Sequence, residues 1–332
     1  MDIFASLIGN EDIKNTLGKS IINSEFLHAY IIEGPQGTGK HTVARLAAAA
    51  IMCQNRDSCS SLPCQKCSLC RKILNDNCTD VRFFDAFKVD DVRKIKEELY
   101  ESATECEYKI YILSNAEKMN IKAQNALLIS LEEPPPNVIF FLLCTDSTIL
   151  LETIRSRAQI LRTKPLSQEQ IKSYIDKYVD ISVDKDALEE IILSSCGSLG
   201  YVLDMLDGEK SAALIKNREK AQELTLSLLK GDASCVTLLT SMFNMTREKL
   251  KEQFGLCLVV LRDLAVVKKD KKAPLCFFTS QKAALDSSSK YSLQKILGIY
   301  SAIERAIEDL NSNSNVPNTL ISILTNSKKK GN

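Results

Sequence analysis

The chain has 332 residues, of which 45% are hydrophobic and 26% are charged, and its net charge is +1. This composition is typical of a globular protein with two or three domains. The near-zero net charge argues against a strong DNA binder, and no apolar run reaches the roughly 18 residues of a membrane span. The first residues lack a basic signal-type segment, so a cytoplasmic protein is expected. The twelve cysteines then predict metal ligands or buried thiols rather than disulfides.

Short apolar runs alternate with helical patterns over the first 164 residues. After short helices in residues 1–27, strands are predicted at about 29–33, 81–84, 110–113, 138–143 and 158–161. Helices are predicted at about 43–53, 90–100, 116–131 and 149–156. This alternation predicts a three-layer α/β domain around a parallel sheet. Residues 54–80 are polar and rich in cysteine, and they show no regular period.

Beyond Pro165 the pattern is helical to the end of the chain. Glycine, proline and polar breaks divide it into a small helical module, 165–207, and a larger helical bundle, 208–332. The sequence therefore predicts three domains. The first spans 1–164 and carries a cysteine-rich insertion at about 53–80.

A glycine-rich stretch, Gly-Pro-Gln-Gly-Thr-Gly-Lys-His, follows the first predicted long strand and precedes an alanine-rich helix. Strand, glycine loop and helix in this order predict a phosphate-binding P-loop, whose N–H groups and lysine face the phosphates. The residues expected to line the site are Gly34, Gly37, Thr38, Gly39, Lys40, His41 and Thr42. His41 stands where a Ser or Thr hydroxyl would bind magnesium. Thr42 comes one residue later, which is about 100° of helix rotation away.

The acidic groups that ATP hydrolysis requires are also missing. A working P-loop ATPase carries acidic residues after a second strand, which bind magnesium and polarise water. Here Ser114 and Asn115 follow the strand at 110–113. Glu117 comes two residues later, and we interpret it as a first-turn carboxylate that the helix dipole favours. Three losses at one site predict a nucleotide site that does not hydrolyse ATP.

Cys64, Cys67 and Cys70 have the C-x2-C-x2-C spacing that turns three thiols toward one metal ion. The candidates for the fourth ligand of a tetrahedral zinc are Cys53, Cys59 and, less favoured, Cys78. We favour Cys53 because it lies at the end of the predicted P-loop helix, on a rigid element. Four cysteines would close the ligand shell and make the zinc structural rather than catalytic. The alternative is a loop of free thiols.

Further motifs accompany these in a fixed order. They are His28–Tyr30, the P-loop, the cysteine loop, Ala123–Leu128, Leu131–Pro135 and Thr153–Arg157. The order resembles that of bacterial DNA polymerase III clamp-loader subunits of the AAA+ class, strongly over residues 3–165 and weakly over the helical remainder. In that family the gamma/tau subunits keep the magnesium ligand and the acids, whereas delta-prime subunits typically lack them. The departures at His41, Ser114 and Asn115 therefore favour a delta-prime type of subunit.

The resemblance implies an AAA+ P-loop domain with an inserted zinc knuckle, followed by a helical lid and an all-α collar through which subunits assemble. It implies a hetero-pentameric ring with gamma/tau and delta subunits, which opens a sliding clamp and places it on primer–template DNA. A delta-prime-type chain would bind ATP or ADP weakly or not at all. It would be a subunit of the DNA polymerase holoenzyme without ATPase activity of its own.

Single residues carry over from the family in the same way. Arg157, in Ser-Arg-Ala, matches the arginine finger of the family's Ser-Arg-Cys motif and would act in trans on a neighbouring ATPase site. The alternative for an arginine here is a surface ion pair, for which Arg155 is the better candidate. Thr145 lies near the family's sensor position after the fourth strand. The turn at 197–203 resembles the sensor-2 turn, although no arginine or lysine lies between residues 197 and 206.

Two other functions remain open at this point. A catalytically active, gamma/tau-like ATPase would use displaced groups such as Thr42 and Glu117. An AAA+ remodelling ATPase unrelated to replication would share the P-loop but would not assemble with clamp-loader subunits.

Overall fold

The computed structural model describes residues 2–56, 58–85, 95, 97–99, 101–180, 183–312 and 314–329. Contacts divide the chain into two compact units. The first unit is Met1–Val179 with Gly197–Gly200, and the second is Asp180–Cys196 with Tyr201–Asn332. The finer division at residues 164 and 207 stays a prediction. Most of the helix predicted at 90–100 lies outside the described residues.

The first unit alternates strands and helices. Its elements are β1 (Asp2–Ile3), α1 (Glu11–Asn23), β2 (Ala29–Glu33), α2 (Lys40–Ile51), β3 (Ser61–Leu62), α3 (Ser68–Leu74), β4 (Val81–Phe84), β5 (Lys109–Leu113), α4 (Ile121–Glu132), β6 (Val138–Cys144), α5 (Glu152–Arg155), β7 (Gln159–Arg162) and α6 (Gln168–Tyr178). The helix predicted at 116–131 is instead a 3-10 turn, Ala116–Lys118, followed by α4. The break has a local cause, because the Asn120 side chain accepts a hydrogen bond from the N–H of Ala123 and so caps α4.

Five strands form a parallel sheet in the order β4-β5-β6-β2-β7, which confirms the predicted parallel α/β architecture. Every residue of β6 is buried, as expected for a central strand covered on both faces. Alternate residues of β2 and β6 face opposite sides, so Tyr30 and Phe141 pack with α1 and α2. On the other side, Ile31 and Phe140 pack with α4.

The cysteine-rich segment contains regular structure that its sequence pattern does not predict. β3 pairs in parallel with β1, so that Ile3 lies opposite Leu62. α3 begins directly after Cys67 and contains Cys70, and the Cys67 side chain accepts a hydrogen bond from the N–H of Cys70 at the start of the helix. Two-residue strands and a seven-residue helix are too short to show a period.

The second unit is helical throughout its described residues. Its elements are α7 (Lys185–Ser194), α8 (Leu199–Leu206, which begins in the first unit), α9 (Gly208–Lys230), α10 (Ser234–Ser241), α11 (Arg247–Lys269), α12 (Gln281–Ser289), α13 (Leu293–Asn311) and α14 (Val316–Lys329). Its core contains Leu224 of α9, Phe254 and Leu261 of α11, and Ile299 of α13. None of the described helices is both long and apolar enough to cross a membrane.

A disulfide in the second unit corrects the expectation that the cysteines would all be metal ligands or thiols. Cys196 and Cys276 are bonded, with their Cα atoms 5.3 Å apart, and they are separated by 80 positions in the chain. The segment around Cys276 is held by Asp263, a fully buried residue of α11 whose carboxylate accepts hydrogen bonds from three consecutive backbone N–H groups. Contacts this distant in sequence follow from the tertiary fold and leave no local pattern.

The Asp263 carboxylate predicts a measurable contribution to stability. Asp263→Ala should lower the free energy of unfolding by about 3 kcal/mol, because three backbone donors lose a charged acceptor in a buried site. Asp286→Ala, at an exposed position on α12, is the matched control and should change it by less than about 0.5 kcal/mol. Urea denaturation of the full chain makes the comparison, and equal effects of the two substitutions would contradict the role of Asp263.

Candidate nucleotide site and cysteine cluster

The predicted P-loop lies between β2 and α2, at the carboxyl end of the parallel sheet. Gly37 and Gly39 have φ values of 75° and 91°, a region that favours glycine. Gly34 lies against Thr163, so that a Cβ on Gly34 would come within 2.0 Å of the Thr163 Oγ1. The loop therefore needs glycine both for its conformation and for its close approach to the segment after β7.

Lys40 binds its own loop. Its Nζ donates hydrogen bonds to the carbonyl oxygens of Gly34 and Pro35, at 2.6 and 2.9 Å. Thr38 Oγ1 also donates to the Pro35 carbonyl, at 2.7 Å. Partial burial lowers the pKa of Lys40, while the Glu117 carboxylate opposes that lowering. The ammonium group that would face phosphate is thus satisfied by loop carbonyls.

The turn at Gly197–Gly200 covers the middle of the P-loop. The Gly200 N–H donates to the Gly37 carbonyl oxygen at 3.2 Å. A Cβ on Gly37 would lie 1.9 Å from the Ser198 Oγ. This is the turn that resembles sensor 2 in sequence. Here it contacts the loop through a backbone hydrogen bond and small side chains, and its own residues carry no cation.

His41 and Ser114, which stand where a working ATPase would have other residues, lie next to each other. His41 Nδ1 is 3.5 Å from Ser114 Oγ. Partial burial, together with the positive charges of Lys40 and Arg45, lowers the pKa of His41. A neutral imidazole and a hydroxyl are a poor ligand set for magnesium, which prefers carboxylate and phosphate oxygens in an octahedral shell. Asn115 donates to Asp85 instead, at 2.6 Å.

Glu117 has a contact that sequence reasoning missed. Its Oε1 accepts hydrogen bonds from the N–H and the Oγ1 of Thr145, at 3.3 and 2.9 Å. Its Oε2 is buried and has no hydrogen-bond partner. The residue is in the first turn of the 3-10 helix, as interpreted from sequence, but its carboxylate also faces the loop after β6. The only advance signal was the position of Thr145 directly after the central strand.

Four cysteines converge at the end of α2. The sulfur atoms of Cys53, Cys64, Cys67 and Cys70 all lie within 4.8 Å of one another. We call these four residues the cysteine cluster. Cys59 is outside it, and its thiol donates to the Arg56 carbonyl oxygen at 3.9 Å. Cys70 is fully buried and its Sγ lies 3.5 Å from the carbonyl oxygen of Ala49, which joins the cluster to α2.

The geometry of the cysteine cluster fits a tetrahedral metal ion. Zinc–sulfur bonds of about 2.3 Å predict sulfur–sulfur distances of about 3.8 Å, and the sulfurs of Cys64 and Cys70 are 3.9 Å apart. The N–H groups of Cys67 and Cys70 point at the sulfurs of Cys64 and Cys67, both at 3.4 Å. Burial raises the pKa of the Cys64 thiol, but hydrogen bonds from the Cys67 and Lys66 backbone and from neighbouring thiols bring it down to about 6.

Arg157 is paired within its own chain. Its Nη2 lies 2.9 Å from Glu132 Oε1, and its Nη1 donates to the Thr153 carbonyl oxygen at 3.0 Å. The Arg155 Nε is buried without a hydrogen-bond partner. The assignment of the ion pair to Arg155 rather than Arg157 was therefore wrong for the isolated chain. The pair is partly exposed, with 36% of the Arg157 and 48% of the Glu132 side chain accessible.

The P-loop, the cysteine cluster and the arginine motif all lie in a segment of the chain that matches a family model. Residues 9–167 match the family described as DNA polymerase III, delta subunit. The match ends close to Pro165, where the sequence pattern turns wholly helical.

The chain is also similar to DNA polymerase III subunits with other names. The tau subunit of DNA polymerase III from Bacillus subtilis (strain 168) is 34% identical over 210 residues, which are 61% of this chain and 37% of the relative. The gamma subunit from Buchnera aphidicola subsp. Schizaphis graminum is 31% identical over 228 residues, which are 67% of this chain and 62% of the relative. The chain thus covers less than two thirds of the length of either relative.

Proposed function

We propose that this chain is a delta-prime-type subunit of the DNA polymerase III clamp loader, an AAA+ subunit that does not hydrolyse ATP. The observation that carries the proposal is the contact between His41 and Ser114, two residues that stand where the family's ATPases would carry magnesium-binding groups. The similarity to delta, gamma and tau subunits supports the clamp-loader assignment.

The lost magnesium site explains why hydrolysis should fail although the P-loop is retained. Phosphoryl transfer depends on metal ions that neutralise the charge developing on the γ-phosphate. His41 and Ser114 offer no carboxylate for that metal. Lys40 would also have to leave the Gly34 and Pro35 carbonyls to reach a phosphate. ATP or ADP binding is therefore expected to be weak or absent.

Arg157 would give the chain a part in ATP hydrolysis at a neighbouring subunit's site, although its own site does not hydrolyse ATP. We assign it as an arginine finger that acts in trans on the ATPase site of a neighbouring gamma/tau subunit. A guanidinium is permanently charged and matches phosphate oxygens in its planar geometry. Its ion pair with Glu132 is partly exposed, and such pairs contribute at most about 1 kcal/mol. Exchanging Glu132 for a phosphate oxygen would consequently cost little.

The cysteine cluster is assigned to one structural zinc ion. Cys53, Cys64, Cys67 and Cys70 would bind it as thiolates in a closed tetrahedral shell, which leaves no position for a substrate. The ion would supply folding energy to a segment that has few apolar residues of its own. Cys53 would fasten that segment to α2.

The partners follow from the same assignment. The chain would join gamma/tau and delta subunits in a hetero-pentameric ring, through its helical C-terminal region as collar, and would meet the sliding clamp and primer–template DNA within that complex. One observation favours a second candidate, a catalytically active gamma/tau-like ATPase, because Glu117 lies against Thr145 and electrostatically near Lys40. An AAA+ remodeller outside replication would fail to bind the other clamp-loader subunits in a pull-down.

The zinc assignment predicts one equivalent of zinc per chain after expression in metal-replete medium. Cys53→Ser and Cys67→Ser should release the metal, since each removes one of four ligands. Cys59→Ser is the matched control and should keep the full equivalent, because Cys59 lies outside the cluster. Elemental analysis decides the matter. Clearly less than one equivalent in the wild type, or loss of zinc in Cys59→Ser alone, would contradict the assignment.

The finger assignment is tested in the reconstituted loader. Arg157→Ala should leave the chain folded, zinc-loaded and able to join the ring. It should lower the DNA- and clamp-stimulated rate at the one ATPase site that it faces by about 10³-fold or more, because a trans arginine contributes that much. Single-turnover ATPase measurements on complexes with one competent neighbouring site give the readout.

Arg82→Ala is the control for this experiment. Arg82 is an exposed arginine of the same unit, on β4, and is paired with Glu98 at 3.6 Å. It should keep the full stimulated rate. Full ATPase activity and clamp loading by the Arg157→Ala complex would remove Arg157 from the mechanism. Failure of the wild-type chain to bind the other subunits would refute the clamp-loader proposal itself.

A further inference from the structure

We propose that Cys78 and Cys106 are a reversible dithiol–disulfide pair, a redox modification site separate from the cysteine cluster. Their sulfur atoms lie 3.6 Å apart, in contact but not bonded. Neither residue belongs to the cluster, and neither takes part in the disulfide of the second unit. A shift of roughly 1.5 Å would bring the sulfurs to the bonding distance of about 2.05 Å.

The backbone around the two cysteines is held in register by one buried carboxylate. Asp80 accepts hydrogen bonds from the N–H groups of Thr104, Glu105 and Cys106, at 2.9, 2.8 and 2.9 Å. Asp80 is only two positions from Cys78 in the chain. These hydrogen bonds hold the segment that carries Cys106 against the segment that carries Cys78. The backbone itself therefore keeps the two sulfur atoms close together.

Side-chain contacts of Glu105 also join the segment that carries Cys106 to Thr79, next to Cys78, and to α3. Glu105 pairs with Lys72 and also accepts a hydrogen bond from Thr79 Oγ1 at 3.3 Å. Cys78 is 5% exposed, whereas Cys106 is half-buried and open to a small reactant. The hydrogen bond from Cys106 lowers the pKa of Cys78 to about 7 although burial opposes this. The pair thus combines an accessible sulfur with a buried sulfur that ionises readily.

The co-reactant is a low-molecular-mass organic disulfide, RSSR. The Cys106 sulfur attacks one sulfur of RSSR and forms a mixed disulfide, while its proton passes through the adjacent Cys78 sulfur to the released RS⁻. The Cys78 thiolate then attacks the Cys106 sulfur, forms the internal disulfide and releases the second RS⁻. Two electrons pass from the cysteine sulfurs to RSSR, and the two protons lost by the thiols go to the two RS⁻ groups. Excess RSH reverses both steps.

The bond would join the amino-terminal ends of two neighbouring strands. Cys78 lies three residues before β4 and Cys106 three residues before β5, which pair directly at one edge of the sheet. The P-loop, Ser114 and Thr145 lie at the carboxyl ends of the strands. Oxidation should consequently stabilise the edge strand β4 and the residues that join the cysteine-rich segment to it. The nucleotide site, at the opposite end of the strands, should stay unchanged.

The test uses the full-length, zinc-loaded chain equilibrated with mixtures of glutathione and glutathione disulfide. Acid quenching, alkylation of free thiols and peptide mass mapping should show a Cys78–Cys106 linked peptide in oxidising mixtures and its loss on excess glutathione. Zinc content should stay constant. The apparent Tm should rise by about 5 °C on oxidation, because a cross-link restricts the unfolded chain.

Variants separate this pair from the other thiols. Cys78→Ser should stop oxidation at a glutathione adduct on Cys106, because the resolving sulfur is gone. Cys144→Ser, at a buried position on β6, is the matched control and should form the linked peptide as the wild type does. The wild-type mapping needs no variant and keeps the test valid if Cys78→Ser fails to fold. Free Cys78 and Cys106 in every mixture, a persistent adduct on wild-type Cys106, or a link to a cluster cysteine would each overturn the proposal.

Discussion

The pairing of β2 with β6 is the constraint on which the rest of the first unit depends. This pairing joins the strand before the P-loop to the strand before Thr145. Because the two strands are parallel, both following loops lie at the carboxyl end of the sheet. Tyr30 and Phe141 stack at 5.3 Å on one face of this pair. On the other face, Phe140 stacks on Tyr111 of β5 at 5.5 Å. Ring contacts on both faces thus stabilise the middle of the sheet. β5 runs parallel to β6, so Ser114, which follows β5, lies at the same carboxyl end as His41.

At the carboxyl end of the sheet, the chain has the glycine loop that predicts a phosphate site. The side chains beside that loop differ from those of a working ATPase. Glycines still shape the loop, but the Lys40 ammonium is bound by loop carbonyls and the turn at Gly197–Gly200 covers Gly37. Beside the loop, the His41 imidazole lies against the Ser114 hydroxyl. The contacts with the loop carbonyls satisfy the Lys40 ammonium within the protein, whereas Glu117 Oε2 is buried without a hydrogen-bond partner.

The strands of the sheet could be predicted well because they carry their own signal. Residues 29–33 and 81–84 are short, mostly apolar segments, and both appear as β2 and β4 with those bounds. The turn before α4 could not be predicted, because it depends on one capping side chain, Asn120. The Glu117–Thr145 hydrogen bond and the Cys196–Cys276 disulfide join residues far apart in sequence and leave no period. Arg157 was placed by a motif, while its partner Glu132 could be found only from the packing of α4 and α5.

The central claim is that the His41–Ser114 contact removes magnesium-dependent nucleotide chemistry from an otherwise intact loop. The most direct measurement is a titration of the wild-type chain with a fluorescent ATP analogue, with and without Mg²⁺. Mg²⁺ should change the affinity of the wild-type chain for the analogue by less than about twofold, which is under about 0.5 kcal/mol. A chain carrying His41→Thr, Ser114→Asp and Asn115→Glu should gain magnesium dependence. Tightening of wild-type binding by about tenfold or more on adding Mg²⁺, with turnover near about 1 s⁻¹ that Lys40→Ala abolishes, would contradict it.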